Sequence, residues 1–232
     1  MKMKKILLTT ACVLTIPTLA QAGDYQLPGE FSGTVGFVSE YSFRGIAQSD
    51  ENPAVQASID YSHDSGFYAG IWGSNVDFTD ADIETDIYAG FSGEASNGLS
   101  WDVGGIYYVY PGSDGSNNYD FFEVAGAVGY DFDIAAVSGS VNYSPEYFGE
   151  SGDATYVAGY VDVPLPYDVT LSGHYGYQYI DEEATFGVPD YADWSAGLSY
   201  NFSGFDLSAT YIDTDLNGSE CADGCDERVI AA

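Results

Sequence analysis

Basic residues are nearly missing from this sequence. Of 232 residues only five are Lys or Arg, against 36 Asp or Glu. Three of the five, Lys2, Lys4 and Lys5, precede an apolar stretch at 6–20, and Ala20-Gln21-Ala22 follows it. A basic start, an apolar run and a small-residue site make a secretory signal peptide, assigned to residues 1–22. The remaining domain, 23–232, keeps all 36 acids with only Arg44 and Arg228 as bases, a formal charge of −34. That scarcity of cations excludes a nucleic-acid footprint. It also excludes attraction to anionic lipid headgroups.

Long hydrophobic runs are missing too. No segment after the signal peptide reaches the ~20 apolar residues of a membrane-spanning helix. No stretch of about 12 residues carries a helical period. Cysteine is scarce: Cys12 leaves with the signal peptide, and Cys221 and Cys225 remain. A close pair in an exported chain reads as a disulfide. Aromatics, by contrast, are plentiful. With 21 Tyr, 13 Phe and 3 Trp, the chain has far too many for a disordered acidic polymer.

What fills the sequence is period two. In 167–179, Val169, Leu171, Gly173, Tyr175, Tyr177 and Tyr179 fall on one face, opposite Asp168, Thr170, Ser172, His174, Gly176 and Gln178. The pattern predicts strands at 31–41, 53–62, 66–75, 84–93, 99–110, 120–130, 133–143, 154–163, 167–179, 190–201 and 204–213, with a twelfth beginning near 226. Each is roughly ten residues, the length a tilted strand needs to cross a bilayer.

The connections alternate. Long ones at 42–52, 76–83, 111–119, 144–153, 180–189 and 214–225 follow short ones at 63–65, 94–98, 131–132, 164–166 and 202–203. A soluble sandwich has no reason to alternate this way. An outer-membrane barrel does, with short turns in the periplasm and long loops outside. Lipid offers no hydrogen bonds, so its sheet must close on itself. Aromatics near the strand ends, such as Tyr61 and Phe67 or Tyr130 and Phe132, suit interfacial girdles. The fold expected is an all-β, up-and-down antiparallel transmembrane β-barrel of about 12 strands.

Particular segments then carry a family resemblance. They are Phe37–Gln48 (FVSEYSFRGIAQ), Pro53–Tyr61 (PAVQASIDY) and Gly66–Val76 (GFYAGIWGSNV), and at the end Asp213-Thr214-Asp215, the cysteine pair and Asp226-Glu227-Arg228-Val229. Together they resemble the TorF family of porins. The resemblance implies an outer-membrane barrel forming a diffusion channel, and no firm substrate. Such barrels usually finish on a full strand ending in an aromatic residue. Here the chain stops at Val229-Ile230-Ala231-Ala232, and the expectation is a truncated last strand.

Several side chains are candidates for function. Glu40, Asp60, Glu84, Asp86, Asp102, Glu123, Asp162, Asp193 and Asp206 occupy the inward parity of their strands. Rings of carboxylates lower the energy of cations in a pore and exclude anions. Against this stands the plainer reading that acids merely hydrate a polar lumen. Arg44, just past the first strand, has so many carboxylates around it that it must be paired. Either loop 42–52 folds into the lumen and Arg44 pins it there as a constriction, or the pair is a rim salt bridge worth little. Asp213, Asp215, Asn217 and Gly218 match the first half of a calcium loop, but Gly224 stands where the bidentate Glu belongs. An acidic loop stapled by Cys221–Cys225 is the plainer account. Ser172 and His174 share a face, a weak hint of a nucleophile pair, and no enzyme is expected.

The function expected is an outer-membrane porin of the bacterial cell outer membrane. It passes small hydrophilic solutes or cations by diffusion, without a cofactor. Its partners are the lipid bilayer, lipopolysaccharide and the outer-membrane assembly machinery. The alternatives are a plugged structural or adhesion barrel, and an exported β-sandwich that binds carbohydrate.

Overall fold

The computed structural model describes residues 28–221 and 223–232. The signal peptide expected at 1–22 lies outside these residues. In chain order the elements are β1 Glu30–Val38, β2 Ser42–Phe43, β3 Ile46–Ala47, β4 Ala54–Ser62, β5 Phe67–Asn75, β6 Ile83–Glu94 and β7 Ser100–Val109. There follow β8 Phe121–Asp131, β9 Ala136–Ser144, β10 Ala154–Leu165, β11 Val169–Ile180, a one-turn helix α1 at Glu183–Phe186, β12 Tyr191–Phe202, β13 Phe205–Thr214 and β14 Arg228–Ala231.

Twelve of these strands form one sheet in the order β1-β4-β5-β6-β7-β8-β9-β10-β11-β12-β13-β14. Every pairing is antiparallel and joins consecutive strands, except that β1 pairs with β4 across the small β2–β3 hairpin. This is an up-and-down barrel. A single continuous sheet replaces the two packed sheets that the carbohydrate-binding sandwich requires, so that alternative is overturned.

The alternation of side chains fixes which face is which. Phe37, Val55, Ile59, Ile71, Ile87, Phe91, Val103, Val124, Val141, Tyr175 and Leu198 share the outward parity and are all exposed, Phe37 by 65% and Ile59 by 62%. An apolar belt around a whole sheet is an aggregation surface in water, and hydrocarbon satisfies it. Aromatic pairs mark the short-turn rim. Phe31 and Tyr61 rings lie 5.1 Å apart, Phe67 and Phe91 5.4 Å, and Tyr130 and Phe132 4.7 Å. Left-handed residues close the short turns, among them Gly66 (φ 90°) and the pair Ser203 (φ 52°) and Gly204 (φ 92°), because two-residue hairpins need positive φ to match the strand twist.

The seam lies between β1 and β14. β14 has four residues and pairs with β13 from Ala209↔Ala231 to Ile212↔Arg228. It meets the first strand's end through the Ser39 N–H, which donates to the Ala231 carbonyl at 2.8 Å, and through the Ala231 N–H, which donates to Ser39 Oγ at 2.9 Å. Along Glu30–Val38 the strand partner of β1 is β4 alone. The barrel is therefore nearly closed, with its edges unpaired where the short last strand leaves them.

The interior is divided into two halves. Toward the long loops it is a packed aromatic core. Val38, Tyr41, Tyr108, Tyr110, Phe121 and Tyr147 are buried, with Phe43, Trp72, Phe78, Tyr119 and Phe148 packed against them. Toward the short turns, interior side chains such as Ser58, Asp60, Asp102, Ser140, Tyr160, Ser172 and Asp206 stay part-exposed.

Candidate functional site: the hairpin in the barrel mouth

The segment after β1 turns inward rather than out. β2 and β3 pair as Ser42↔Ala47 and Phe43↔Ile46, and Arg44 and Gly45 form the two-residue turn between them. Both turn residues have positive φ, 49° and 83°. Glycine adopts that backbone freely, and any added Cβ on Gly45 would stand 2.5 Å from Thr214 Cγ2 and 2.9 Å from Asp193 Cβ. Arginine does not adopt it freely: a left-handed conformation costs a residue with a side chain on the order of 1–2 kcal/mol. Contacts of the Arg44 side chain offset that cost.

Those contacts are specific. Arg44 Nη2 donates to both carboxylate oxygens of Glu123 on β8, at 2.8 and 2.7 Å, and Nη1 donates to Gln178 Oε1 on β11 at 2.8 Å. The guanidinium carbon lies 4.6 Å from the centre of the Phe43 ring and 4.3 Å from that of Tyr156. Tyr147 is farther, at 5.9 Å. The Arg44 side chain is 6% exposed and that of Glu123 1%, so this ion pair is far from solvent screening. Tyr108 and Asn142 complete the Glu123 carboxylate, each donating to Oε2 at 3.2 Å.

A second arginine holds the base of the hairpin. Arg228 Nε donates to Glu40 Oε1, and its Nη2 donates to Ser42 Oγ at 3.3 Å and to the Gly45 carbonyl at 3.0 Å. Burial pushes the Glu40 carboxyl above its usual range, while the hydrogen bond and charge of Arg228 pull the other way. The loop after β13 is closed by the Cys221–Cys225 disulfide. It presents the Gly224 carbonyl to the Ala47 N–H at 2.8 Å. Thus both arginines of the described chain are spent on one six-residue hairpin.

The inward-parity acids divide by depth. Glu40, Glu84, Glu123 and Asp193 are buried. Glu84 accepts hydrogen bonds from the Tyr41 hydroxyl at 2.8 Å and the Tyr110 hydroxyl at 2.9 Å. Asp193 accepts from the Tyr156 hydroxyl at 2.9 Å, and that hydroxyl also lies 2.8 Å from His174 Nε2. Asp86, two residues from Glu84, has Oδ1 buried without a protein partner. Asp60, Asp102 and Asp206 are part-exposed, and Asp162 is exposed. Asp60 accepts from Tyr88 and from Ser58 Oγ, and Asp102 accepts from the Tyr68 hydroxyl at 2.9 Å.

The calcium-like residues each have partners within the protein. Asp213 accepts from Tyr211, Asp215 accepts the Ala192 N–H at 2.7 Å, and Asn217 turns to Ser219 and Glu220. Among the described residues no three His, Cys, Asp or Glu side chains gather as a metal group. Ser172 and His174 also part company, Ser172 Oγ donating to Asp162 at 2.6 Å. Tyr41 and Tyr108, whose places near strand ends suit a girdle, are instead buried in the interior, and Gln178 and Tyr156 carry no motif of their own. Their inward parity near the long-loop end was the available signal.

This geometry belongs to a chain whose residues 22–230 match a bacterial family of unknown function, Gcw_chp. The chain belongs to that family. No curated protein matches the chain. Among solved structures the NanC porin is similar with a TM-score of 0.55 at 9% identity, over 77% of this chain and 90% of that one. The outer membrane protein OprD from Pseudomonas aeruginosa aligns with a TM-score of 0.45 at 10% identity, over 87% of this chain and 63% of that one. The NanC likeness establishes the fold, a porin-like β-barrel.

Proposed function

We propose that this member of the Gcw_chp family is an outer-membrane diffusion channel for small hydrophilic solutes, with a preference for cations, as the likeness to TorF porins implies. One observation carries the reading: an apolar belt encloses an interior with a part-exposed acidic half, which holds Asp60, Asp102, Asp162 and Asp206. Carboxylates lining a narrow aqueous passage stabilise cations and repel anions. No arginine or lysine of the barrel strands balances them on that side, since Arg44 and Arg228 are both committed to the hairpin.

The hairpin gives the channel its closed state. With Arg44 bound to Glu123, the wall residues Glu84, Glu123, Gln178 and Tyr191 are 1% exposed or less, so the wall is packed at that level. Solute passage then requires the hairpin to lift. Lipid and lipopolysaccharide surround the belt, and the outer-membrane assembly machinery inserts it.

The packed aromatic half also favours a second reading, a permanently filled barrel that anchors its loops. Swelling of proteoliposomes in isosmotic solute separates the two. Uptake of small solutes that falls with solute size supports the channel. No swelling from protein shown to be folded by heat-modifiable mobility refutes it.

A further inference from the structure

The surroundings of Arg44 form a receptor in their own right. Glu123 on β8 offers a carboxylate whose two oxygens both accept from Nη2, and Gln178 on β11 offers a carbonyl oxygen to Nη1. The Tyr156 ring on β10 covers one side of the guanidinium at 4.3 Å. These three groups come from the barrel wall, and Glu123 and Gln178 are 1% and 0% exposed. None of the three belongs to the hairpin itself. Two acceptors that meet different nitrogens of one planar cation, with an aromatic ring over its face, suit a guanidinium better than an ammonium.

The ligand in this receptor is held in a strained turn. Arg44 has a φ of 49° at a position where glycine, asparagine or aspartate is the ordinary choice. A structural hairpin gains nothing from arginine there. A side chain that must fill a particular site does.

We infer that the wall residues Glu123, Gln178 and Tyr156 form a guanidinium-binding site that Arg44 fills in cis, and that guanidinium-bearing organic cations take when the hairpin lifts. The inference rests on the channel reading for access, since the site faces the barrel interior. Recognition itself does not depend on conduction. The tethered Arg44 competes at high effective concentration, so wild-type protein binds such cations weakly, and vacating the site exposes its affinity.

The test uses R44G, which removes the guanidinium and suits the left-handed turn. Calorimetry on the folded full chain in detergent measures methylguanidinium, with methylammonium as the control cation. Saturable binding of methylguanidinium to R44G, at least tenfold tighter than methylammonium and abolished in R44G/E123Q, supports the site. R44A is a second vacated form and gives the same result if R44G does not fold. Equal binding of the two cations, or none by a folded vacated protein, overturns the site. Binding without conductance in either protein would refute the channel and leave the site standing. Conductance without selective binding would do the reverse.

Discussion

At the residue scale the account turns on one buried ion pair. Removing a single partner of such a pair leaves an uncompensated charge and costs about 3–5 kcal/mol. Glu123→Ala is therefore expected to lower the unfolding free energy by that much in a denaturant titration, because Arg44 then has Gln178 as its remaining hydrogen-bond partner in the wall. A loss below about 1 kcal/mol would mean that Arg44 finds water in place of Glu123. Tyr41→Phe is a milder probe. It takes one of two hydroxyl donors from the buried Glu84 carboxylate, and the expected loss is about 1–3 kcal/mol in the same titration. Arg44 could be picked out of the sequence because cations are so rare that each must be paired. Its partner could not. Glu123 is one of many inward-parity acids, and only the hairpin's entry angle chooses among them. The tyrosines were hidden for a different reason: on an alternating strand a tyrosine serves a girdle or a plug equally well, and depth decides.

At the element scale the twelve strands of the barrel were legible to within about three residues, β1 ending at Val38 rather than 41 and β9 starting at Ala136 rather than 133, since a one-residue slip in register would turn the apolar belt inward. β5, expected at 66–75, spans Phe67–Asn75, and β12, expected at 190–201, spans Tyr191–Phe202. The β2–β3 hairpin was not legible. Two-residue strands have no periodicity to read, and this one is held by contacts from distant loops. Those contacts can be loosened one at a time. The double variant C221S/C225S opens a five-residue ring, and a ring that size is worth about 2 kcal/mol in the chain-entropy account. Because Gly224 holds Ala47, amide exchange at Ala47 should accelerate while the strand amides of β6 and β7 stay protected. Unchanged exchange at Ala47 would show that Arg44 and Arg228 hold the hairpin without the disulfide loop. Gly45→Ala acts from inside. Its Cβ would meet Thr214 and Asp193 below 3 Å, so the hairpin should be pushed from its seat and the open probability of the channel raised.

At the scale of the whole molecule, charge and closure set the behaviour. A domain with a formal charge of −34 places its few cations at one end of the interior and leaves acids exposed at the other. The class of fold followed from the alternation of loop lengths, which no soluble architecture requires. Whether the interior is filled did not follow, because loops that fold inward and loops that stand outward have the same composition. The central claim is a cation-preferring channel whose hairpin closes it. Single-channel recording under a salt gradient, on wild-type and G45A protein side by side, tests it most directly. The account predicts a cation-directed reversal potential in both and a higher open probability in G45A. Silence from both proteins when folded, or an anion-directed reversal potential, would contradict it.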